Sequence, residues 1–92
     1  MISLRRSASF EKAIRRLGPE QAKRAAKLLT QFLENPRHPH LHFERLGGTP
    51  YLTIKADNNF RIIMRESGKD VFDLVDVVDH NTMKQQYGRN KR

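Results

Sequence analysis

Phe10, Ala13, Ile14 and Leu17 recur at i, i+3, i+4 and i+7, the spacing that gathers apolar side chains on one stripe of an α-helix. The run "SFEKAIRRLG" is therefore read as a helix, with Ser9 as its capping residue and Glu11 in the first turn, where negative charge is favoured. Gly18 and Pro19 close that helix and open another, because glycine suits the position just past a helix and proline the first position inside one. In the second helix Ala22, Ala25, Ala26, Leu29, Phe32 and Leu33 share a side, and Asn35-Pro36 ends it. Two amphipathic helices with so tight a joint form a hairpin.

Beyond Pro36 the apolar period changes from about 3.6 to about 2. "PRHPHLHFERL" is expected to start extended, because of its prolines, and to become a strand. "YLTIKA" puts Leu52 and Ile54 on one face and Tyr51, Thr53 and Lys55 on the other. Phe60, Ile62 and Met64 alternate in the same way with Arg61, Ile63 and Arg65, and the turn residues "DNN" join the two strands in a hairpin. "SGKD" is the next turn. "VFDLVDVVDH" is apolar on both faces apart from its aspartates, which marks an interior strand. "MISLRR" predicts a short first strand, and "NTMKQQYGRNKR" a short terminal helix that frays. The order β-α-α-β-β-β-β defines an α+β domain. Its helical hairpin packs on one face of a twisted, mainly antiparallel sheet of four to five strands, and the other face is left to carry a site.

The chain of 92 residues is expected to be one domain, 1–92, with a basic tail over 81–92. Its formal net charge of +8 is uneven: residues 1–35 hold eight Lys/Arg and three acids, 36–80 six and seven, and 81–92 four and none. Basic ends of this kind attract phosphate backbones, acidic proteins or anionic surfaces. No apolar run reaches the length of a membrane span, and the basic start lacks the apolar core of a secretion signal. The absence of cysteine excludes disulfides and thiolate metal sites and is compatible with a reducing cytoplasm.

Candidate chemistry gathers on the outer face of the sheet. Arg61 carries a planar fork that matches phosphate oxygens and stays charged at any working pH. Its plain alternative is an ion pair with Glu44 or Asp57. Lys55, Tyr87 and His80 supply a second cation, an aromatic hydroxyl and a group that titrates near neutrality. The hairpin shows an outer face of Lys12, Arg15, Arg16, Lys23, Arg24 and Lys27, an arrangement that is often merely solvated. His38, His40 and His42 would share one side of a strand, but they have no carboxylate shell, and Pro39 disturbs the spacing, so no metal site is expected.

Three segments, "ENPRHPHLHFERL", "YLTIKADNNFRII" and "VDVVDHNTMKQQY", carry a resemblance that runs nearly end to end. The chain resembles the toxins of the RelE/ParE superfamily, the toxin halves of type II toxin–antitoxin pairs, and among them the RelE-like mRNA interferases. The resemblance implies a RelE-like fold and a ribosome-dependent endonuclease that needs no metal or other cofactor. The ribose 2′-hydroxyl would attack the adjacent phosphate and leave a cyclic phosphate. It also implies a cognate antitoxin, through which larger assemblies form, and the ribosome with its mRNA as target. Arg61 matches the strand arginine of the family, Lys55 one of the lysines beside the phosphate, and Tyr87 a base or a platform for stacking. His80 falls where some branches have a histidine, and Glu44 matches the general base of YoeB-like members. Arg15, Arg16, Lys23, Lys27, Lys84 and Arg89 are the expected contacts to RNA or ribosome. Asn81 departs from the pattern, since several RelE-type toxins have arginine there. Two alternatives stay open: a ParE-like toxin that inhibits DNA gyrase without nuclease chemistry, and a binding homologue whose catalytic set has decayed. The tail is expected to add little stability, because removing the chain from Tyr87 onward takes few apolar groups with it.

Overall fold

A computed structural model gives the fold; it describes residues 2–56 and 60–87, without the side chains of His80 and Lys84. The elements in chain order are β1 (Ser3–Arg6), α1 (Ala8–Leu17), α2 (Pro19–Glu34), a 3-10 turn (Pro39–Leu41), β2 (Glu44–Arg45), β3 (Tyr51–Lys55), β4 (Phe60–Gly68), β5 (Val71–Asp79) and α3 (His80–Gln86). None of these helices is long and apolar enough to cross a membrane.

The helical hairpin forms as its stripe predicts, with one change at its start. Ser7, not Ser9, caps α1: its hydroxyl accepts from the Phe10 amide at 3.0 Å and donates to the Leu74 carbonyl at 2.7 Å. Ser9 instead donates to the Val75 carbonyl at 2.6 Å. The two serines thus fasten the start of α1 to β5. Gly18 both ends α1 and caps α2, at φ 94°, a backbone conformation that side chains with a Cβ rarely adopt. Along α2, Ala25, Leu29 and Phe32 are buried, whereas Leu33, expected on the same side, is 46% exposed. It lies one position past Phe32, about 100° further round the helix.

The sheet has five strands in the order β1-β5-β4-β3-β2. β1 runs parallel to β5 and every other neighbouring pair is antiparallel. The core lies between helices and sheet. Phe10, Ala13, Ala25, Leu29 and Phe32 meet Leu52, Ile54, Ile62, Met64, Phe72, Leu74 and Val77. Phe32 anchors it, in edge-to-face contact with Phe43 at 4.9 Å and Phe72 at 5.7 Å. Full burial of such a side chain is worth about 1.5–3 kcal/mol.

Two irregularities bend the β4–β5 ladder: Val75 is extra on β5 opposite Ile63/Met64, and Ser67 is extra on β4 opposite Phe72/Val71. The first bulge lies where the serines of α1 attach. It also reverses the alternation of β5, so that Asp73 and Asp76, three residues apart, both point away from the helical hairpin, as the registers Arg65↔Asp73 and Ile63↔Asp76 require.

The segment expected to start extended and become a strand does so at Glu44–Arg45, but its histidine part turns instead. Pro39–Leu41 turns as a 3-10 helix. His38 accepts from the His40 amide at 3.2 Å, and the two rings stack with centroids 5.0 Å apart. Two prolines and the left-handed His42, at φ 48°, prevent an extended run. No cluster of three or more His, Cys, Asp or Glu suited to a metal exists among the described residues.

Candidate functional site

Directly opposed residues of neighbouring strands share a face, so the register fixes what stands on the side of the sheet away from the hairpin. Three rows cross it. Lys55, Arg61 and Val78 form the first, Glu44, Thr53, Ile63 and Asp76 the second, and Tyr51, Arg65, Asp73 and Arg5 the third. Lys55 and Arg61, both half-buried, are direct cross-strand partners. The Arg61 guanidinium donates from Nη1 to the Phe60 carbonyl at 3.2 Å, which orients it along the strand end.

The second row is covered. Thr53 is 1% exposed and Ile63 0%, although neither faces the hairpin. Their cover is α3. Asp79 caps it by accepting from the Thr82 amide at 2.7 Å, and Met83 is 5% exposed. Tyr87, just past its end, donates its hydroxyl to Asp76 Oδ2 at 2.8 Å and sets its ring edge-to-face on Tyr51 at 5.0 Å. Burial, and then the hydrogen bond and negative charge of Asp76, push the Tyr87 phenol well above its ordinary value. The terminal helix is thus a packed element, and the expectation that residues from Tyr87 onward contribute almost nothing to stability fails for Tyr87 itself. Its hydroxyl and ring both have partners.

In the third row Arg5 grips Asp73 with Nε at 2.6 Å and Nη2 at 3.2 Å, and Nη2 also reaches Ser67 Oγ at 2.9 Å. The guanidinium holds the Asp73 carboxyl below the usual carboxylate range. Arg65, exposed between Tyr51 and Asp73, makes no hydrogen bond or ion pair among the described residues.

The site residues expected from sequence fall into three groups. Lys55 and Arg61 come together, with Tyr87 on the same face, one row further along. Glu44 is on this face too, by its register with Thr53, but it is exposed on the edge strand and two strands away from Arg61. It makes no ion pair among the described residues, so the plain alternative of a Glu44–Arg61 pair does not form. Arg15, Arg16, Lys23 and Lys27 are exposed in the helical layer, across the sheet from Lys55 and Arg61. His80 opens α3 next to the first row, but its side chain, that of Lys84, and Asp57 and Arg89 as a whole lie outside the described residues. Asn81 is exposed on α3. A cavity of about 510 Å³, lined by Ile2, Pro36, His38, His42, Phe43 and Asp70 among others, is elsewhere, beside the 3-10 turn and the β4–β5 turn.

Sequence reasoning passed over Asp76, Tyr51 and Arg65. Alternation had already placed Tyr51 and Arg65 on this face. Asp76 could be assigned to it only with the bulge at Val75, which no residue of the sequence announces.

The fold is widely shared. The YafQ toxin of E. coli matches with a TM-score of 0.72 at 11% identity, over 90% of this chain and 98% of that one. RelE, in a RelB–RelE antitoxin–toxin complex from Methanococcus jannaschii, matches with 0.69 at 15%, over 90% and 98%. A YoeB/ParE toxin from Agrobacterium tumefaciens matches with 0.67 at 14%, over 86% and 99%. No curated protein matches the chain in sequence. The family model of the ParE-like toxin domain matches residues 19–84, from the start of α2 to α3. With the hairpin, the five-stranded sheet and the returning helix all in place, the chain belongs to the ParE-like toxin family of the RelE/ParE superfamily.

Proposed function

We propose that this toxin domain is half of a toxin–antitoxin pair and that it cleaves mRNA on the ribosome. The observation that carries the reading is the direct opposition of Lys55 and Arg61 across the β3–β4 ladder. Like charges opposite one another destabilise a sheet. A phosphate between them reverses the sign of that interaction.

In this reading the 2′-oxygen of one ribose attacks the phosphorus 3′ to it. The bond to the next 5′-oxygen breaks, the 5′-oxygen takes up a proton, and a cyclic phosphate remains. Negative charge grows on the non-bridging oxygens as the 2′-oxygen approaches. Arg61, permanently charged and hydrogen-bonded to the Phe60 carbonyl, meets that charge from β4, and Lys55 faces it from β3. Tyr87 remains protonated, because burial and Asp76 disfavour its anion. It therefore serves as a stacking surface or hydrogen-bond donor and not as the base. The basic residues of α1 and α2 lie across the sheet from this face. They would meet a different stretch of RNA from the one being cut, as expected of a protein wedged inside a ribonucleoprotein. An antitoxin partner is supported by the M. jannaschii RelE, whose structure is a complex with its antitoxin RelB.

The test is controlled expression with mapping of mRNA 5′ ends, for the wild type and Arg61→Ala. Loss of one transition-state contact costs about 10²–10³ in rate, so folded Arg61→Ala should leave messages intact. Cleavage at the wild-type level by a folded variant refutes the role of Arg61. The commitment of the Tyr87 hydroxyl to Asp76, with neutral Asn81 nearby in sequence, favours a second reading, gyrase inhibition without nuclease chemistry. Intact messages together with gyrase-linked DNA breaks in the wild type would select it.

A further inference from the structure

Beyond the covered middle row, the third row borders a second recess. It has a volume of about 450 Å³ and is lined by Arg5, Arg6, Ser7, Ser9, Arg65, Asp73 and Val75. Three of these side chains are cations and one is an anion. The anion is already engaged by Arg5 through both of its oxygens and Arg6 is paired with Glu11, which leaves the charge of Arg65 in excess.

We infer that this recess binds a backbone phosphate of the RNA strand whose scissile phosphate lies at Lys55 and Arg61. The inference rests on the cleavage reading above and adds a second contact to it. Arg5 is held in place by Asp73 and Ser67, so a ligand need not order it. Arg65 is exposed and makes no hydrogen bond among the described residues; its charge only adds to the field that Arg5 already exerts on Asp73. Arg6 leans on Glu11 at 3.2 Å, an exposed pair that is weakly held. Arginine is suited to such a site because its fork fits two phosphate oxygens at once.

The spacing fits one strand. Arg61 and Arg65 stand on the same face of β4, four residues apart, which is about 13 Å at the rise of a β-strand. A stacked nucleic-acid strand advances about 3.4 Å per nucleotide, so that gap is on the order of four stacked nucleotides, or fewer if the strand is extended. Tyr87, bonded to Asp76 of the middle row, stands between the two phosphate positions, and Tyr51 stands beside Arg65, so the intervening bases would pass over Tyr87 and not over the covered strands. A dinucleotide would fill only the Arg61 position, while a longer RNA would reach both.

The experiment measures binding of a dinucleotide and of an eight-nucleotide single-stranded RNA, both with a 2′-deoxy block at the cleavage position, across a salt series. Proteins are the wild type, Arg65→Gln, Arg61→Ala and, as a control, Arg37→Gln, exposed beside the 3-10 turn; melts confirm that each is folded. Each lost phosphate contact on a single strand lowers the salt slope by about 0.7. Arg65→Gln should lower it by that amount for the longer RNA and leave the dinucleotide unchanged. Arg61→Ala should weaken both, and Arg37→Gln neither. If Arg65→Gln binds the longer RNA with the wild-type slope while Arg61→Ala weakens both ligands, the recess is not an RNA site and the cleavage reading stands. If neither variant alters RNA binding, both readings fall. If Arg65→Gln spares RNA but weakens a poly-glutamate peptide, the recess belongs to an acidic protein partner, and the inference is wrong.

Discussion

Tyr87→Phe removes one oxygen and keeps the ring. In the native protein that oxygen donates to Asp76 Oδ2 at 2.8 Å, and the ring sits on Tyr51 at 5.0 Å. A hydrogen bond to a charged acceptor contributes about 1.5–3 kcal/mol when shielded. Both residues are only half-buried, so water screens the bond and about 1 kcal/mol is the reasonable figure. Asp76 keeps the Val77 amide at 2.8 Å on its other oxygen, which prevents a larger loss. For a domain of this size 1 kcal/mol corresponds to about 4–8 °C in Tm. Tyr87→Ala also gives up the ring pair, which adds about 0.5–1.5 kcal/mol. The alkaline limb tests the same bond independently. The folded phenol titrates above its unfolded value near 10. Its contribution is therefore complete below about pH 10 and is lost as pH rises beyond that. Thermal melts of wild type and Tyr87→Phe should differ at pH 7, and the gap should close in alkali. Identical Tm values at pH 7 would refute the picture of α3 latched through Tyr87, as would a gap that does not change with pH.

Thr53→Val should stabilise the protein by about 1 kcal/mol, read as a higher urea midpoint, because the Thr53 hydroxyl is buried under α3 and has no hydrogen-bond partner among the described residues. A lower midpoint would mean that the hydroxyl is satisfied. Asp73→Asn should flatten the loss of stability on acidification. The native Asp73 carboxyl titrates below its unfolded value, so its contribution is present above about pH 4 and is lost as pH falls through the folded value. Parallel acid titrations of the two proteins would show that the Arg5–Asp73 clasp contributes nothing.

The parts of the fold that were legible in the sequence are those set by local periodicity. The stripe Phe10, Ala13, Ile14 and Leu17, and the alternations in β3 and β4, each carry their own face assignment, and the structure keeps them. What was not legible depended on distant partners. Ser7 rather than Ser9 caps α1 because the Leu74 and Val75 carbonyls, far along the chain, take up both hydroxyls. The histidine run turns instead of extending because its prolines leave too few amides for a ladder. In the candidate site, Lys55 and Arg61 were legible by parity alone. Asp76 and the cover over Thr53 and Ile63 were not, since one depends on a bulge and the other on a helix folding back across the sheet.

The parallel pairing of β1 with β5 has a consequence in time. Ser3 stands beside Val71, 68 residues later in the chain. A ribosome adds about 5–20 residues per second, so β1 is synthesised roughly 3–14 s before its neighbour in the sheet. Over that interval α1 and α2 can form, but the strand before them has an unsatisfied edge, and the serines that fasten α1 have no carbonyls to meet. Pairings at such separation are also the slow step for chains of this type. The Arg5–Asp73 clasp and the recess beside it are consequently among the last features to assemble. A nascent chain stalled before Val71 would lack both, even with its β3–β4 hairpin, and with it Lys55 and Arg61, already synthesised.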